Sequence, residues 1–262
     1  MEEYKKFALE IARQAGDIIK KNFVFGMSKE IKNNNTPLTK TDLLVNTLLL
    51  EGVRKNFPDH NILGEEESDM SRISEYVWVC DPIDGTMLFS HSIPICVFSL
   101  ALVKNGESIL GVVYDPFQDR MFFAEKGKGA FLNGQQIFVS KADNFHGALA
   151  TCEFFKPAPF DTSKLAVYLQ MEKCIHISKF NSFIYSTVLV AAGELVFAIY
   201  PWIYAHDAAA AKIIVEEAGG KVTSILGTDQ RYDREIEGLV VSNGILHDEV
   251  MKMIKEKVIR VG

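Results

Sequence analysis

The sequence predicts a mixed α/β fold, and three features of its 262 residues indicate this. Apolar residues recur at helical spacing in the first segment, strand-like segments joined by Asn-Gly turns follow in the middle, and strands alternate with helices towards the end. We expect an antiparallel sheet in an N-terminal α+β half, about residues 1–145, and α/β layers in a C-terminal half, about residues 146–262. No repeat or linker interrupts the chain, so residues 1–262 are expected to form a single unit.

The composition excludes several classes of protein. Hydrophobic residues make up 48% of the chain and charged residues 24%, with a net charge of −6, unlike a disordered polymer or a basic nucleic-acid binder. No apolar run reaches the ~18 residues of a membrane span, and the charged N-terminus lacks the continuous apolar core of a signal peptide. The four cysteines form no C-x-x-C motif and indicate free thiols in a reducing compartment. We therefore expect a cytoplasmic protein whose partners include neither a nucleic-acid polymer nor a membrane.

Two helices around a polar loop are predicted first. Apolar residues at three- or four-residue spacing predict an amphipathic helix that ends before Gly26. The loop over residues 28–42 is too polar for a core, so it is either a solvent-exposed connector or a mobile segment that closes over a site. A second helix follows, with Thr41 or Asp42 as its N-cap and Pro58 at its exit.

A run of hairpins is predicted next, and strands alternate with helices after it. Asn105-Gly106 and Asn133-Gly134 mark tight hairpin turns. The predicted strands of this sheet cover residues 95–103, 109–114 and 121–124. Later strands at residues 175–177, 195–200 and 239–242 alternate with helices near residues 165–171, 183–192, 208–218 and 245–259.

The strongest functional pattern is the segment VWVCDPIDGT at residues 77–86. An apolar strand delivers Asp81 and Asp84 into a turn that contains Gly85, and the hydroxyl of Thr86 follows. Paired carboxylates at a strand end suit Mg²⁺, a hard cation that prefers oxygen ligands and keeps waters that a phosphate can replace. Gly85 lets backbone N–H groups approach an anion, and a helix that starts near Thr86 favours phosphate. The alternative is an acidic Pro-Gly turn at the surface, which is common in proteins.

Two further acidic positions lie far away in the sequence. Glu65 follows a short strand in GEEES, where the alternative is a solvated acidic loop. Asp207 precedes an alanine-rich helix, where the alternative is an ordinary N-cap, and His206 beside it fits packing or hydrogen bonding better than ligation of a hard cation. If Glu65, Asp81, Asp84 and Asp207 converge, about four negative charges meet in a small volume, which requires cations.

Two or three Mg²⁺ ions would relieve this repulsion and would support hydrolysis of a phosphate monoester. Neighbouring metal ions lower the pKa of a bound water, hold a phosphate in line and stabilise the leaving oxygen. Thr86 is then placed to orient the attacking water, or to help deprotonate it through a carboxylate, for which Glu65 and Asp42 are the candidates.

Three motifs resemble the signatures of the inositol monophosphatase family, the lithium-sensitive, Mg²⁺-dependent phosphatase superfamily that also includes fructose-1,6-bisphosphatases. In the family's order and spacing, they are GEEES at residues 64–68, DPIDGT at residues 81–86 and HDAA at residues 206–209. The resemblance extends from residues 38–42 to residues 219–222, and DPIDGT followed by Phe89 is its most specific part. It implies a layered α-β-α-β-α sandwich, a homodimer and a mobile metal-binding loop at residues 31–39.

The resemblance also implies roles for individual residues. Asp42 would work with the hydroxyl of Thr86, Glu65 would join them in catalysis, and Glu66 would lie behind the metal ligands. The backbone at Gly85 and Thr86 would hold the phosphate. The implied metal ligands are Glu65, Asp81, Asp84, Asp207 and the carbonyl oxygen of Ile83.

Three departures from the family pattern concern the alcohol part of the substrate. His206 stands where the family usually has tryptophan. Tyr200 stands where inositol-specific members have a glutamate that grips ring hydroxyls, and Phe183 falls at or near a small-residue substrate contact. Fewer polar partners should weaken discrimination among hydroxylated substrates, although Tyr200 can still donate a hydrogen bond. We expect Phe183, Tyr200 and Asp207 to bind the substrate.

We therefore predict a Mg²⁺-dependent phosphatase that acts on a small phosphorylated polyol or sugar of the inositol 1-phosphate type. The alternatives among enzymes are a fructose-1,6-bisphosphatase, a histidinol-phosphate phosphatase and a nucleotide 3′-phosphatase. The alternative outside catalysis is a silent binding or regulatory member of the family.

Overall fold

The computed structural model describes residues 1–32, 36–155, 158–173 and 175–261. The helices are α1 (Glu2–Asn22), α2 (Lys40–Asn56), α3 (Thr86–Phe89), α4 (Ser163–Met171), α5 (Phe183–Ala191), α6 (Ala205–Glu217) and α7 (His247–Lys257). The strands are β1 (Lys29–Ile31), β2 (Pro37–Thr39), β3 (Asn61–Gly64), β4 (Tyr76–Asp84), β5 (Val97–Lys104), β6 (Glu107–Asp115), β7 (Arg120–Glu125), β8 (Ala130–Leu132), β9 (Gln135–Ile137), β10 (Leu149–Cys152), β11 (Phe160–Asp161), β12 (His176–Ile177), β13 (Phe197–Tyr200), β14 (Lys221–Thr223), β15 (Leu239–Ser242) and β16 (Ile259–Arg260).

One sheet contains the predicted hairpins. Its strand order is β3-β4-β5-β6-β7-β8-β9, and every pair is antiparallel except β3 with β4. Asn105 and Gly106 have φ of 53° and 89°, and Asn133 and Gly134 have φ of 49° and 81°. Positive φ at both central residues is what a type I′ hairpin turn requires, so the predicted hairpins are confirmed.

Side-chain alternation gives this sheet two apolar faces. Trp78 and Leu100 pack with α1 and α2 on one face, whereas Val77 and Ala101 pack with α5 and α6 on the other. Successive residues of a strand point to opposite faces, so the near-continuous apolar runs of β4 and β5 are buried on both sides by helices.

A second sheet completes the layers, with the strand order β12-β10-β13-β15-β14. Ala198 and Val241 face α5 and α6, and Phe197 and Val240 on the opposite face pack with α4 and α7. The architecture is therefore the expected α-β-α-β-α sandwich, in which α5 and α6 form the central helical layer.

Small residues let α6 fit between the sheets. Its residues 208–211 are four buried alanines, and a Cβ added to Gly111 of β6 would lie 2.6 Å from the carbonyl oxygen of Ala210. The alanine-rich sequence is thus a packing requirement, because the helix backbone lies directly against the strand.

The N-cap of α2 is Thr39, not Thr41 or Asp42 as predicted. Thr39 Oγ1 accepts a hydrogen bond from the N–H of Thr41 at 3.2 Å, while Asp42 Oδ2 accepts one from the N–H of Thr39 at 2.8 Å. This reciprocal capping box starts the helix earlier and places Asp42 in its first turn.

Within the described residues, none of the helices is long and apolar enough to cross a membrane. Cys80, Cys96 and Cys152 are buried free thiols, as predicted. Cys174 lies outside the described residues.

Candidate active site

Neighbouring elements bring the acidic motifs to one edge of the first sheet. Because β3 runs parallel to β4 and Gly64 pairs with Cys80, the next residues, Glu65 and Asp81, lie at the same end of the two strands. The N–H of Glu65 donates to the carbonyl oxygen of Cys80 at 3.1 Å. The first turn of α6 delivers Asp207 to the same place. Ligand oxygens of Asp81, Asp84 and Asp207 all lie within 4.8 Å of one another.

A β-bulge turns both aspartates of DPIDGT towards this site. The pairing of β4 with β5 shifts its register between Asp81 and Asp84. In a regular strand, residues three apart point to opposite faces, and a bulge removes that alternation. Gly85 follows with φ of 96°, and a Cβ there would lie 2.7 Å from the carbonyl oxygen of Ile95, so the turn requires glycine.

The start of α5 holds the carboxylate of Asp84. The N–H of Phe183 donates to Oδ1 at 3.0 Å, those of Ile184 and Tyr185 donate to Oδ2 at 2.8 and 3.3 Å, and the Ser182 hydroxyl also donates to Oδ2. Burial raises the pKa of Asp84 to about 7, although these hydrogen bonds oppose the shift. Sequence reasoning missed Ser182, since its partner is 98 residues away and the only signal was a serine before an apolar helix.

Burial and mutual repulsion raise the pKa of the other two carboxyl groups. Asp81 is 2% exposed, and burial, followed by the charges of Glu65 and Asp84, raises its pKa well above the usual range. Burial and Glu65 raise the pKa of Asp207 to about 7, and the N–H of Tyr204 donates to its Oδ2 at 2.9 Å. A cation among these carboxylates would relieve the repulsion, and hard oxygen donors are the ligands that Mg²⁺ prefers. The donor set fits the predicted metal.

Thr86 and Asp42 form a hydrogen-bonded pair beside the acidic cluster. Thr86 Oγ1 donates to the carbonyl oxygen of Ile83 at 2.7 Å. Asp42 Oδ1 lies 3.2 Å from Thr86 Oγ1 and is a second acceptor for this hydroxyl. Asp42 Oδ2 accepts from the N–H and the hydroxyl of Thr39, which fixes the carboxylate. Burial raises the pKa of Asp42 to about 6, against the effect of these bonds. Of the two predicted partners of Thr86, Asp42 is the one in contact with it.

Lys32 brings a positive charge to the acidic loop. Its Nζ lies 2.9 Å from Glu65 Oε1 and 2.6 Å from Glu66 Oε1. Burial lowers the pKa of Lys32, but the two carboxylates outweigh it and the net shift is upwards. Of the predicted loop at residues 31–39, residues 33–35 lie outside the described residues.

Tyr200 lies beneath the site, and Phe183 lies in it. Tyr200 is fully buried, and its hydroxyl donates to the carbonyl oxygen of Phe183 at 2.9 Å, accepts from Thr187 at 3.0 Å and lies 2.7 Å from Ser186 Oγ. The rings of Tyr200 and Phe183 are 5.2 Å apart. The hydroxyl that we expected to meet the substrate therefore bonds to α5, because β13 points Tyr200 into the central helical layer.

His206 packs against an aromatic ring, the kind of role that the sequence analysis favoured over metal ligation. Its ring stacks on Tyr204 with centroids 5.2 Å apart, and its Nε2 lies 3.8 Å from Asp207 Oδ2. Burial lowers the pKa of His206, which favours the neutral imidazole.

Most of the predicted site residues line one cavity of about 460 Å³. The predicted residues that line it are Glu65, Asp81, Ile83, Asp84, Gly85, Thr86, Phe183 and Asp207. Asp42 lies behind Thr86, and Tyr200 lies behind Phe183. The remaining walls include Phe155 and Trp202, which sequence reasoning did not assign to the site.

Comparison with known proteins supports the resemblance along the whole chain. The sequence model of the inositol monophosphatase family matches residues 1–258. The fructose-1,6-bisphosphatase/inositol-1-monophosphatase of Thermotoga maritima is 32% identical over 257 residues, which are 98% of this chain and 97% of that protein. Inositol monophosphatase 1 of Homo sapiens is 31% identical over 265 residues, covering 97% and 95% of the two chains.

A solved structure of an IMPase from Thermotoga maritima has a TM-score of 0.86 at 32% identity, with 98% of each chain covered. The shared layers, the acidic cluster and this similarity lead to one conclusion. The chain belongs to the inositol monophosphatase family and is a phosphoric monoester hydrolase.

Proposed function

We propose that the protein is a Mg²⁺-dependent phosphatase that hydrolyses the phosphate monoester of a small polyol or sugar. The observation that carries this proposal is the placement of two buried carboxylates, Asp81 and Asp84, and the partly buried Asp207 beside a hydrogen-bonded Thr86–Asp42 pair. The carboxylates suit a divalent cation, and the pair suits a water nucleophile.

Asp81, Asp84 and Asp207, with Glu65 and the carbonyl oxygen of Ile83, would hold two or three Mg²⁺ ions. When bound, such ions lower the pKa of a water and neutralise charge on the phosphate and on the leaving oxygen. The hydrogen bonds from α5 keep the Asp84 carboxylate in place before a metal arrives, which lowers the cost of organising the site.

Thr86 and Asp42 would direct the attacking water. In this step the Thr86 hydroxyl would accept a hydrogen bond from the water and turn its own proton from the carbonyl oxygen of Ile83 to Asp42 Oδ1, which lies 3.2 Å away, so a proton can move from the water through Oγ1 to the carboxylate. With a pKa of about 6, Asp42 is a carboxylate at neutral pH and can accept it. The water oxygen bonds to phosphorus and the bond from phosphorus to the alcohol oxygen breaks, while Gly85 lets the phosphate lie against the backbone.

The remaining family-level features are proposals of the same kind. We infer that the protein is a cytoplasmic homodimer and that lithium inhibits it. We also infer that Asp207 contacts the substrate in addition to binding a metal ion. A catalytically silent member remains the alternative, but the intact Thr86–Asp42 pair favours an enzyme, because a binding module has no use for it.

The test is phosphate release from inositol 1-phosphate, ribose 5-phosphate and glycerol 2-phosphate. We expect turnover with MgCl₂, its loss after exhaustive chelation and its return when Mg²⁺ is restored. Full turnover in the chelated protein would contradict the metal mechanism, and absence of turnover on every ester with Mg²⁺ would favour the silent member.

A further inference from the structure

The start of α5 is capped by a carboxylate from another part of the chain. Its N-cap is Ser182, whose side chain makes no capping hydrogen bond within the helix and instead donates to Asp84 Oδ2. The N–H groups of the first turn, which have no partner inside a helix, donate to the same carboxylate at 2.8–3.3 Å. The orientation of Asp84 therefore depends on where the first turn of α5 lies.

This first turn is also held at the carbonyl oxygen of Phe183. Three hydroxyl oxygens lie within hydrogen-bonding distance of that carbonyl oxygen: Thr187 at 2.8 Å, Tyr200 at 2.9 Å and Ser186 at 3.1 Å. Ser186 and Thr187 belong to α5 itself and move with the helix. Of the three, only Tyr200 belongs to another element, since it is the last residue of β13. Its hydroxyl therefore ties the first turn of α5 to the second sheet.

Tyr200 is suited to anchor the turn because its own position is fixed. Its side chain is fully buried, and it pairs with Leu239 in the ladder between β13 and β15. Its ring centroid lies 5.2 Å from that of Phe183. Burial raises the pKa of Tyr200 above its usual range, so the hydroxyl keeps its proton and remains a hydrogen-bond donor near neutral pH.

The same contacts keep the Tyr200 hydroxyl away from the substrate. It donates to the carbonyl oxygen of Phe183, accepts from Thr187 at 3.0 Å and lies 2.7 Å from Ser186 Oγ. A phenol has one proton to donate, and here that proton is already used. Tyr200 lies behind Phe183, outside the lining of the cavity, so its effect on catalysis must pass through α5.

Resting on the proposed function, we propose that Tyr200 is a positioning residue for metal binding. It fixes the first turn of α5, whose N–H groups hold the Asp84 carboxylate in the orientation that a divalent cation needs. Metal sites tolerate ligand displacements of only about 0.2 Å, so a small shift of this turn weakens binding. Mutation of a group that orients a ligand directly lowers metal affinity by about 10–100-fold, and Tyr200, one step further away, should have a smaller effect.

The first experiment measures Mg²⁺ binding to Tyr200→Phe, which keeps the ring and removes the hydroxyl. Calorimetric titration of the metal-free protein with MgCl₂ reports the apparent Kd without any turnover. We expect the apparent Kd to rise by about threefold or more relative to the wild type. A smaller rise would overturn the inference.

Two control variants separate positioning from a general loss of stability. Ser242→Ala removes a fully buried hydroxyl that lies 2.8 Å from His247 Nδ1, at the other end of the β13–β15 pair, where Ser242 is opposite Phe197. Thr187→Val removes a hydroxyl from the same carbonyl oxygen but leaves the tie to β13 in place. Both should raise the apparent Kd less than Tyr200→Phe does, and an equal or larger rise in either would overturn the inference.

The second experiment measures phosphate release over a series of Mg²⁺ concentrations. The substrate is inositol 1-phosphate, ribose 5-phosphate or glycerol 2-phosphate, whichever the wild type hydrolyses fastest. In Tyr200→Phe the Mg²⁺ concentration for half-maximal rate should rise, while KM for the ester at saturating Mg²⁺ should stay near the wild-type value, because the hydroxyl does not contact the ester. A rise in KM larger than the rise in the Mg²⁺ requirement would assign Tyr200 to the substrate and overturn the inference.

The two proposals fail differently. If the wild type depends on Mg²⁺ and Tyr200→Phe matches it in both experiments, the positioning role is wrong and the proposed phosphatase stands. If the wild type binds no Mg²⁺ and releases phosphate from none of the esters, the proposed function is wrong and the positioning role fails with it.

Discussion

Asp81→Asn removes one negative charge from the acidic cluster and keeps the shape of the side chain. The asparagine oxygen can still accept the hydrogen bond that the N–H of Ile83 now gives to Asp81 Oδ1 at 2.9 Å. Its amide N–H groups can donate to Asp84 and Asp207 where a carboxylate oxygen repels them. We expect the metal-free protein to become more stable while Mg²⁺-dependent activity falls.

The size of the stability change follows from the separation of the charges. Two unit charges at the 4.8 Å limit of the cluster repel by about 3.5 kcal/mol at an effective dielectric constant of about 20. Asp81 has two such neighbours, but its own raised pKa and their pKa values of about 7 mean that bound protons relieve part of the repulsion at pH 7.5. We expect the free energy of unfolding to rise by about 2–4 kcal/mol, which raises Tm by about 4–8 °C for a chain of this size.

The assay is thermal unfolding at pH 7.5 in EDTA and in MgCl₂, together with phosphate release. The wild-type Tm should increase with Mg²⁺, because a ligand that binds the folded state stabilises it, and Asp81→Asn should gain less. The matched control is Asp17→Asn, whose side chain is 78% exposed on α1 and should change neither measurement. A Tm in EDTA equal to or below the wild-type value would refute the repulsion argument, and wild-type kcat/KM in the variant would refute the role of Asp81 as a ligand.

Three other predictions concern single side chains. Thr86→Ala should lower kcat by about 100-fold or more, as expected for loss of a general acid–base relay, with Thr86→Ser largely active; wild-type kcat in the alanine variant would exclude the Thr86–Asp42 pair from catalysis. Tyr200→Phe removes one of the hydroxyl groups that donate to the carbonyl oxygen of Phe183 and the acceptor of a Thr187 hydrogen bond, and it should destabilise the protein by about 1–2 kcal/mol in urea unfolding, whereas unchanged stability would contradict the buried network. Burial lowers the pKa of His247 to about 4, below its unfolded value of about 6.5. Its contribution to stability is therefore complete above pH 6.5 and is lost as pH falls towards 4, by up to about 3 kcal/mol. His247→Gln should have a flatter stability profile over that range, and equal slopes would show that other groups cause the loss.

Local patterns in the sequence predicted the hairpins and the acidic turns. Asn-Gly turns depend on the backbone preferences of two residues, and a strand followed by Asp81, Asp84 and Gly85 depends on residues close in the chain. The family resemblance built on these motifs, the fold class and the enzyme class were all confirmed by the comparisons. The hairpins and the acidic turns can be predicted without tertiary information because the residues that cause them lie within about ten positions of one another in the chain.

The sequence by itself therefore determined the layered fold, the reaction class and the acidic groups that the structure brings together. Only the tertiary structure decided that α5 holds Asp84, that Tyr200 points into the central layer and that Phe155 and Trp202 line the same cavity as Phe183. These facts depend on which side chains from distant segments meet when two sheets pack against α5 and α6. No local propensity encodes that packing. For this reason only the tertiary structure shows which side chains line the cavity beside the acidic cluster, where the alcohol part of the substrate is expected.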